Sequence, residues 1–146
     1  MDNKGKILWA DDEIELLKPH ILFLKKKGFI VNAVNSGEDA LSLLKSERFD
    51  IVLLDEMMTG LDGLTTLRLI KVDHPNIPVV MITKNEDEWL MDEALGQQIS
   101  NYLTKPVNPS QVLLACKSIL EKTKLQYDHT AKSYLNEFNN ISLDVN

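Results

Sequence analysis

Four short, uninterrupted apolar runs constrain this chain most: Ile7-Leu8-Trp9-Ala10, Phe29-Ile30-Val31, Ile51-Val52-Leu53-Leu54 and Val79-Val80-Met81-Ile82. Each has the length of a strand. None alternates apolar with polar residues, so both faces of each strand must be covered, as they are in a parallel sheet. A fifth, weaker run from Ile99 to Leu103 suits a sheet edge. Between the runs, apolar residues recur at helical spacing: Ile14, Leu17, Ile21 and Leu24, then Ala40, Leu41 and Leu44, then Leu64, Leu67 and Ile70, then Leu90, Met91, Ala94 and Leu95. Strand–helix alternation joined by right-handed crossovers gives a five-stranded parallel sheet with helices on both sides.

Local signals agree with this order. Ser36 with Asp39 and Asn85 with Glu88 resemble N-cap pairs, and Asn108-Pro109 puts proline where a first helical turn tolerates it. Gly28 and Gly96 follow the first and fourth helices as stop signals. Pro19 conflicts with its helix, so a kink or a late start is expected there. The fifth helix runs from about Pro109 to Lys122, and the polar stretch Thr123 to Thr130 leads to a last amphipathic piece. Its stripe, Ala131, Tyr134, Leu135, Phe138 and Ile141, is not needed for the core of such a domain. The expected division is a domain over residues 1–122 and a helical extension over 123–146. That extension either opens a connector toward a further domain or folds back on the first one.

A chain of 146 residues accommodates one domain with a sizeable core and a short appendage. With 44% apolar and 26% charged residues it reads as globular, and a net charge of −6 without a basic stripe gives no support for a nucleic-acid surface. Met1 to Lys6 leads into only four apolar residues, which fits neither a signal peptide nor a membrane span, so a cytoplasmic location is expected. Cys116 is alone and forms neither an internal disulfide nor a thiolate zinc site. In the stripe Val112, Cys116, Ile119 it reads as a small buried hydrophobe. His20, His74 and His129 lack metal-ligand spacing and read as ordinary surface or helix-end residues.

Ligands of an open parallel sheet bind outside the carboxyl ends of its strands. Strand one ends in Asp11-Asp12-Glu13, strand three in Asp55-Glu56, strand four in Thr83-Lys84 and strand five in Lys105-Pro106. Clustered carboxylates repel, and the remedies are a raised pKa or a bound cation. An all-oxygen site with few protein ligands suits Mg²⁺, which also neutralises charge on a transferring phosphoryl group. Asp55, central and at the end of the most apolar strand, is the candidate nucleophile for an acyl phosphate. Lys105 would pair with Asp55 or with a phosphoryl oxygen, and Thr83 would offer that oxygen its hydroxyl. Pro106 is a candidate cis residue that directs Lys105 into the pocket. Singly, an Asp-Asp pair is a helix cap with a solvated neighbour, and a lone Asp, Thr or Lys after a strand means nothing. Four such positions on four strands, with matching chemistry, point to a site.

The blocks Ile7-Leu8-Trp9-Ala10-Asp11-Asp12-Glu13, Asp50-Ile51-Val52-Leu53-Leu54-Asp55, Gly60-Leu61-Asp62-Gly63, Thr83 and Tyr102-Leu103-Thr104-Lys105-Pro106 resemble the signature blocks of response-regulator receiver domains, over about Lys6 to Lys122. The resemblance implies a flavodoxin-like (CheY-like) α/β fold with strand order 2-1-3-4-5. It also implies a sensor histidine kinase or small phosphodonor as partner, and a protein that catalyses only its own phosphorylation and dephosphorylation. It implies Asp12 as a direct Mg²⁺ ligand, Asp11 as a ligand through water, Asp55 as both phosphorylation site and metal oxygen, and Met57 as a carbonyl ligand. Thr83 and Tyr102 match the family's switch pair, which shifts between two arrangements. A phosphorylation-dependent homodimer is implied through the fourth helix, fifth strand and fifth helix, where Trp89 and Tyr102 lie, or through the C-terminal extension. Three features depart from the pattern. Thr59 replaces a common proline, Lys84 stands where a very small residue is usual and would add a cation, and Met57 and Asn85 occupy the positions that tune phosphorylation lifetime.

A narrower resemblance lies in Leu8-Trp9-Ala10-Asp11-Asp12-Glu13-Ile14, Lys18-Pro19-His20-Ile21 and Asp55-Glu56-Met57-Met58. These are similar to the receiver end of PorX-type regulators linked to type IX secretion, in which a helical connector leads to a PglZ domain of the alkaline-phosphatase superfamily. Two other functions fit these residues less well. A haloacid-dehalogenase-type phosphatase wants a second acid two residues after its nucleophile, where Met57 stands. A degenerate receiver acting as a phosphorylation-independent interaction module has no support from a complete set of acidic pair, Asp55, Thr83 and Lys105.

Overall fold

The computed structural model describes residues 3–84, 92, 93, 96 and 99–144, the side chains of 134 and 137–144 excepted. Its strands are β1 (Lys6–Ala10), β2 (Ile30–Val34), β3 (Ile51–Asp55), β4 (Val79–Thr83) and β5 (Asn101–Thr104), all parallel, in the order β2-β1-β3-β4-β5. The continuous apolar runs have their expected consequence in the middle of the sheet, where β3 and β4 are buried at every position. The edges differ. In β2, Ile30 is 45% exposed while Val31 is buried, because an edge strand is covered less completely. The fifth strand is an edge strand too, as its weaker apolarity suggested, but it begins at Asn101 and ends at Thr104.

Alternation along the strands divides the core in two. Leu8, Ala10, Val52, Leu54, Val79 and Met81 face α2 (Gly37–Ser46) and α3 (Gly63–Asp73). Ile7, Trp9, Ile51, Leu53, Val80 and Ile82 face α1 (Lys18–Lys26) and the C-terminal helix (Pro109–Asp144). Pro19 resolves as a late start: Ile14–Leu17 is a short 3₁₀ turn, and proline occupies the first turn of α1, where its missing N–H costs nothing. Gly28 follows α1 with φ 101°, a left-handed conformation open to glycine. Ser36 caps α2 by accepting from Asp39 N–H, and Asp62 caps α3 by accepting from Thr65 N–H. Asn108 and Gln111 form a reciprocal cap, each side-chain oxygen accepting the other's backbone N–H.

The apolar positions assigned to the fourth helix, Leu90, Met91, Ala94 and Leu95, and the pair Asn85 and Glu88 lie outside the described residues. Asp92, Glu93 and Gly96 are helical, so Gly96 lies within helix rather than just past its end. The fifth helix does not end near Lys122 as expected but continues without a break into the helical extension, 36 residues in all. Lys124, Leu125 and Gln126 propagate a helix without needing a buried face.

Gly63 sits where α3 enters against the end of β3. Its N–H donates to the Glu56 carbonyl at 2.7 Å, and a Cβ there would strike the Asp55 carbonyl and, at 2.5 Å, the Glu56 Cα. Gly63→Ala is expected to lower unfolding free energy by about 2 kcal/mol, as overpacking against backbone does, although alanine is the better helix former. Urea denaturation measures this, and an unchanged midpoint would mean that the β3–α3 turn yields freely.

Candidate functional site

Beyond Ala10 and Leu54, the strand alternation carries Asp11 and Asp55 onto the face shared by Trp9 and Leu53, at the carboxyl edge of neighbouring strands. Both are buried, while Asp12 is exposed. One carboxylate oxygen from each of Asp11, Asp12 and Asp55 lies within 4.8 Å of the other two. Three anions at that spacing are mutually repulsive unless cations join them. Lys105, only 14% exposed, supplies one: its Nζ is 2.8 Å from Asp11 Oδ2 and 3.4 Å from Asp55 Oδ1. The other Asp11 oxygen accepts the Glu13 N–H at 2.8 Å.

The electrostatics follow from this packing. Burial, and next the charge of Asp11, raise the Asp55 pKa to about 6, against the opposing pull of Lys105 and of the Met57 N–H that Asp55 accepts. Burial by itself would push the Lys105 ammonium down, but the hydrogen bond to Asp11 and the charges of Asp55 and Asp11 outweigh it and hold its pKa above the ordinary value. Burial, then the charge of Asp62, raises the pKa of Glu56, which lines a cleft with Asp12 and Met57. The donor set is entirely oxygen, and its size and charge fit a hard divalent cation such as Mg²⁺.

Thr83 ends β4 fully buried, and its carbonyl accepts the Lys105 N–H at 2.8 Å. The register sets Thr83 opposite Thr104 and Tyr102 opposite Met81. Alternation therefore places Thr83 and Tyr102 on the same sheet face, one side-chain step apart, with Tyr102 packed against the α2–α3 core. The Lys105–Pro106 peptide is cis. Lys84 is exposed and lines a cavity with Asp11 and Lys105. Asn85 and Trp89 lie outside the described residues. Cys116 is buried, and burial pushes its thiol up to about 12, as suits a packing residue.

Two contributors escaped the sequence reading. Glu38, on α2, accepts the Leu61 N–H at 2.8 Å and so holds the β3–α3 loop; that hydrogen bond keeps its carboxyl below the usual range. His20 is not the ordinary surface residue expected. Its ring Nε2 lies 2.7 Å from the Val107 carbonyl, 87 residues away. Its position three after Leu17 and four before Leu24 was the available signal, because that spacing belongs to the inner face of α1. His74 does stand at a helix end, and His129 is exposed.

Residues 7–117 match the family model of the response regulator receiver domain. The response regulator MprA of Mycobacterium ulcerans is 30% identical over 139 residues, which are 95% of this chain and 60% of that protein. The CpxR homolog of Haemophilus influenzae, a transcriptional regulatory protein, is 33% identical over 141 residues, again 95% of this chain and 60% of the relative. The chain thus spans about 60% of the length of these relatives. Among solved structures, the BeF3-activated DrrB receiver domain is 31% identical with a TM-score of 0.72, covering 83% of this chain and 99% of that one.

Proposed function

Because the chain belongs to the family of response regulator receiver domains, we propose that Asp55 accepts a phosphoryl group from a sensor histidine kinase or a small phosphodonor, and that the modification changes which surfaces the protein presents. The observation that carries this reading is the position of Lys105 Nζ, which reaches both Asp11 and Asp55 and sets one fixed cation against the clustered carboxylates. An Asp55 carboxylate oxygen forms the new P–O bond. The phosphorus bond to the donor breaks, and its electron pair leaves with the donor group. Lys105, freed to turn from Asp55 toward the transferred group, pairs with a phosphoryl oxygen, and Thr83 donates its hydroxyl to another.

Asp11, Asp12 and Asp55, with the Met57 carbonyl, would hold Mg²⁺. When bound, the ion supplies positive charge that offsets repulsion between the carboxylates and the incoming phosphate. Thr83 and Tyr102 form the proposed switch, which their shared sheet face favours. A homodimer through the β5 side of the domain or through the C-terminal helix would read it out. Among the described residues no helix is long and apolar enough to cross a membrane.

Within the family, the residues around Trp9, Pro19-His20 and Asp55-Glu56-Met57-Met58 favour a regulator of PorX type. On that reading residues 1–122 are the receiver and 123–146 begin a connector toward a PglZ-like effector, which would bring any phosphohydrolase activity. The C-terminal helix supports a connector, since every described side chain from Glu121 onward is exposed.

Intact mass after incubation with acetyl phosphate and Mg²⁺ tests the central claim. The wild type should gain one phosphoryl group and Asp55→Asn none. Equal gain by both would move the site elsewhere.

A further inference from the structure

Lys105 can serve two carboxylates only if its backbone is held in register with them, because a four-carbon stem does not position its own ammonium. On one side the backbone is anchored to β4, through the Lys105 N–H donated to the Thr83 carbonyl at 2.8 Å. On the other side the anchor is His20. A carbonyl oxygen only accepts, so the 2.7 Å contact with Val107 requires that the His20 Nε2 carry the proton. The ring's other nitrogen, Nδ1, is buried without a hydrogen-bond partner among the described residues, so a proton placed there would find no acceptor. Trp9, fully buried, meets the ring edge-on at 86° and 6.3 Å between centroids, and limits where it can turn. Val107 itself is 8% exposed and packs in the same core.

We propose that His20 is a positioning residue, which acts from α1 through the Val107 carbonyl to hold Lys105 between Asp11 and Asp55. The consequence for phosphorylation rate rests on the functional reading above. The consequence for the placement of Lys105 does not.

The test compares His20→Phe, which keeps a ring against Trp9 but loses the donor, with His20→Gln, whose amide N–H reaches about as far as Nε2. In the metal-free full chain, the Lys105 ammonium should give an observable NMR signal in the wild type and in His20→Gln, and should broaden away in His20→Phe. Phosphoryl uptake from acetyl phosphate should slow about fivefold in His20→Phe, the factor equivalent to one ordinary hydrogen bond, and recover in His20→Gln. A His20→Phe variant that keeps both the ammonium signal and the wild-type rate would overturn the proposal. So would a wild-type ¹⁵N spectrum showing the Nδ1–H tautomer, a measurement that decides the matter even if His20→Phe does not fold. Wild-type protein that shows the ammonium signal but takes up no phosphate would instead sink the functional reading and leave the positioning role standing.

Discussion

Asparagine in place of Asp55 is expected to end phosphoryl uptake and, at the same time, to make the metal-free protein more stable at neutral pH by about 3 kcal/mol. The sign follows from the direction of the shift. Burial and the neighbouring Asp11 charge raise the Asp55 pKa from 3.8 to about 6, so the folded protein binds this proton more tightly than the unfolded chain does. Stability is therefore at its fullest below the unfolded value, declines as pH rises through the interval between the two, and bears the whole penalty above the folded value. The gap between those two values corresponds to about 3 kcal/mol. Asparagine keeps the shape and removes the charge. Urea unfolding of both proteins across this pH range should show their stabilities diverging as pH rises. A constant difference would mean that the Asp55 carboxylate is not strained in the fold. Added Mg²⁺ should narrow the difference, since a ligand that binds only the native wild type stabilises it in proportion to RT ln(1 + [L]/Kd).

Lys105→Met should act in the opposite direction. Asp11 is fully buried and depends on this ammonium at 2.8 Å, and removing one partner of a buried pair leaves the other charge stranded at a cost of about 3 kcal/mol or more. Methionine fills most of the stem's volume, so the loss reads charge rather than packing. The same substitution should slow phosphoryl uptake, because no cation then faces the acceptor. Combining it with Asp55→Asn gives a decisive comparison. With one anion fewer, the missing lysine should cost less, and the cycle should return a coupling of about 1 kcal/mol or more. Strict additivity would show that the two groups do not interact across their 3.4 Å separation.

Much of this molecule was legible in one dimension because its signals are local. Ile51-Val52-Leu53-Leu54 has no polar interruption, and a strand of that kind has no stable place except the middle of a covered sheet. Pro19 cannot donate a backbone hydrogen bond, so α1 had to begin beside it. Asp11, Asp12, Asp55, Thr83 and Lys105 stand at or just past four strand ends, and parallel topology brings such ends to one edge. Other features had no local cause. Whether Lys105 bridges Asp11 and Asp55 depends on how far β5 stands from β1, across two intervening strands. The bond from His20 to Val107 joins residues 87 apart, and a histidine's role depends on what its ring meets. That the fifth helix continues past Lys122 had no local sign, because helical periodicity reports only a buried face, and Thr123 to Thr130 is exposed all round. Apolar period, proline and chain order thus determined the sheet and the edge where the acids gather. Distance, burial and partner choice belonged to the tertiary structure, because each depends on atoms that meet only once the chain has closed.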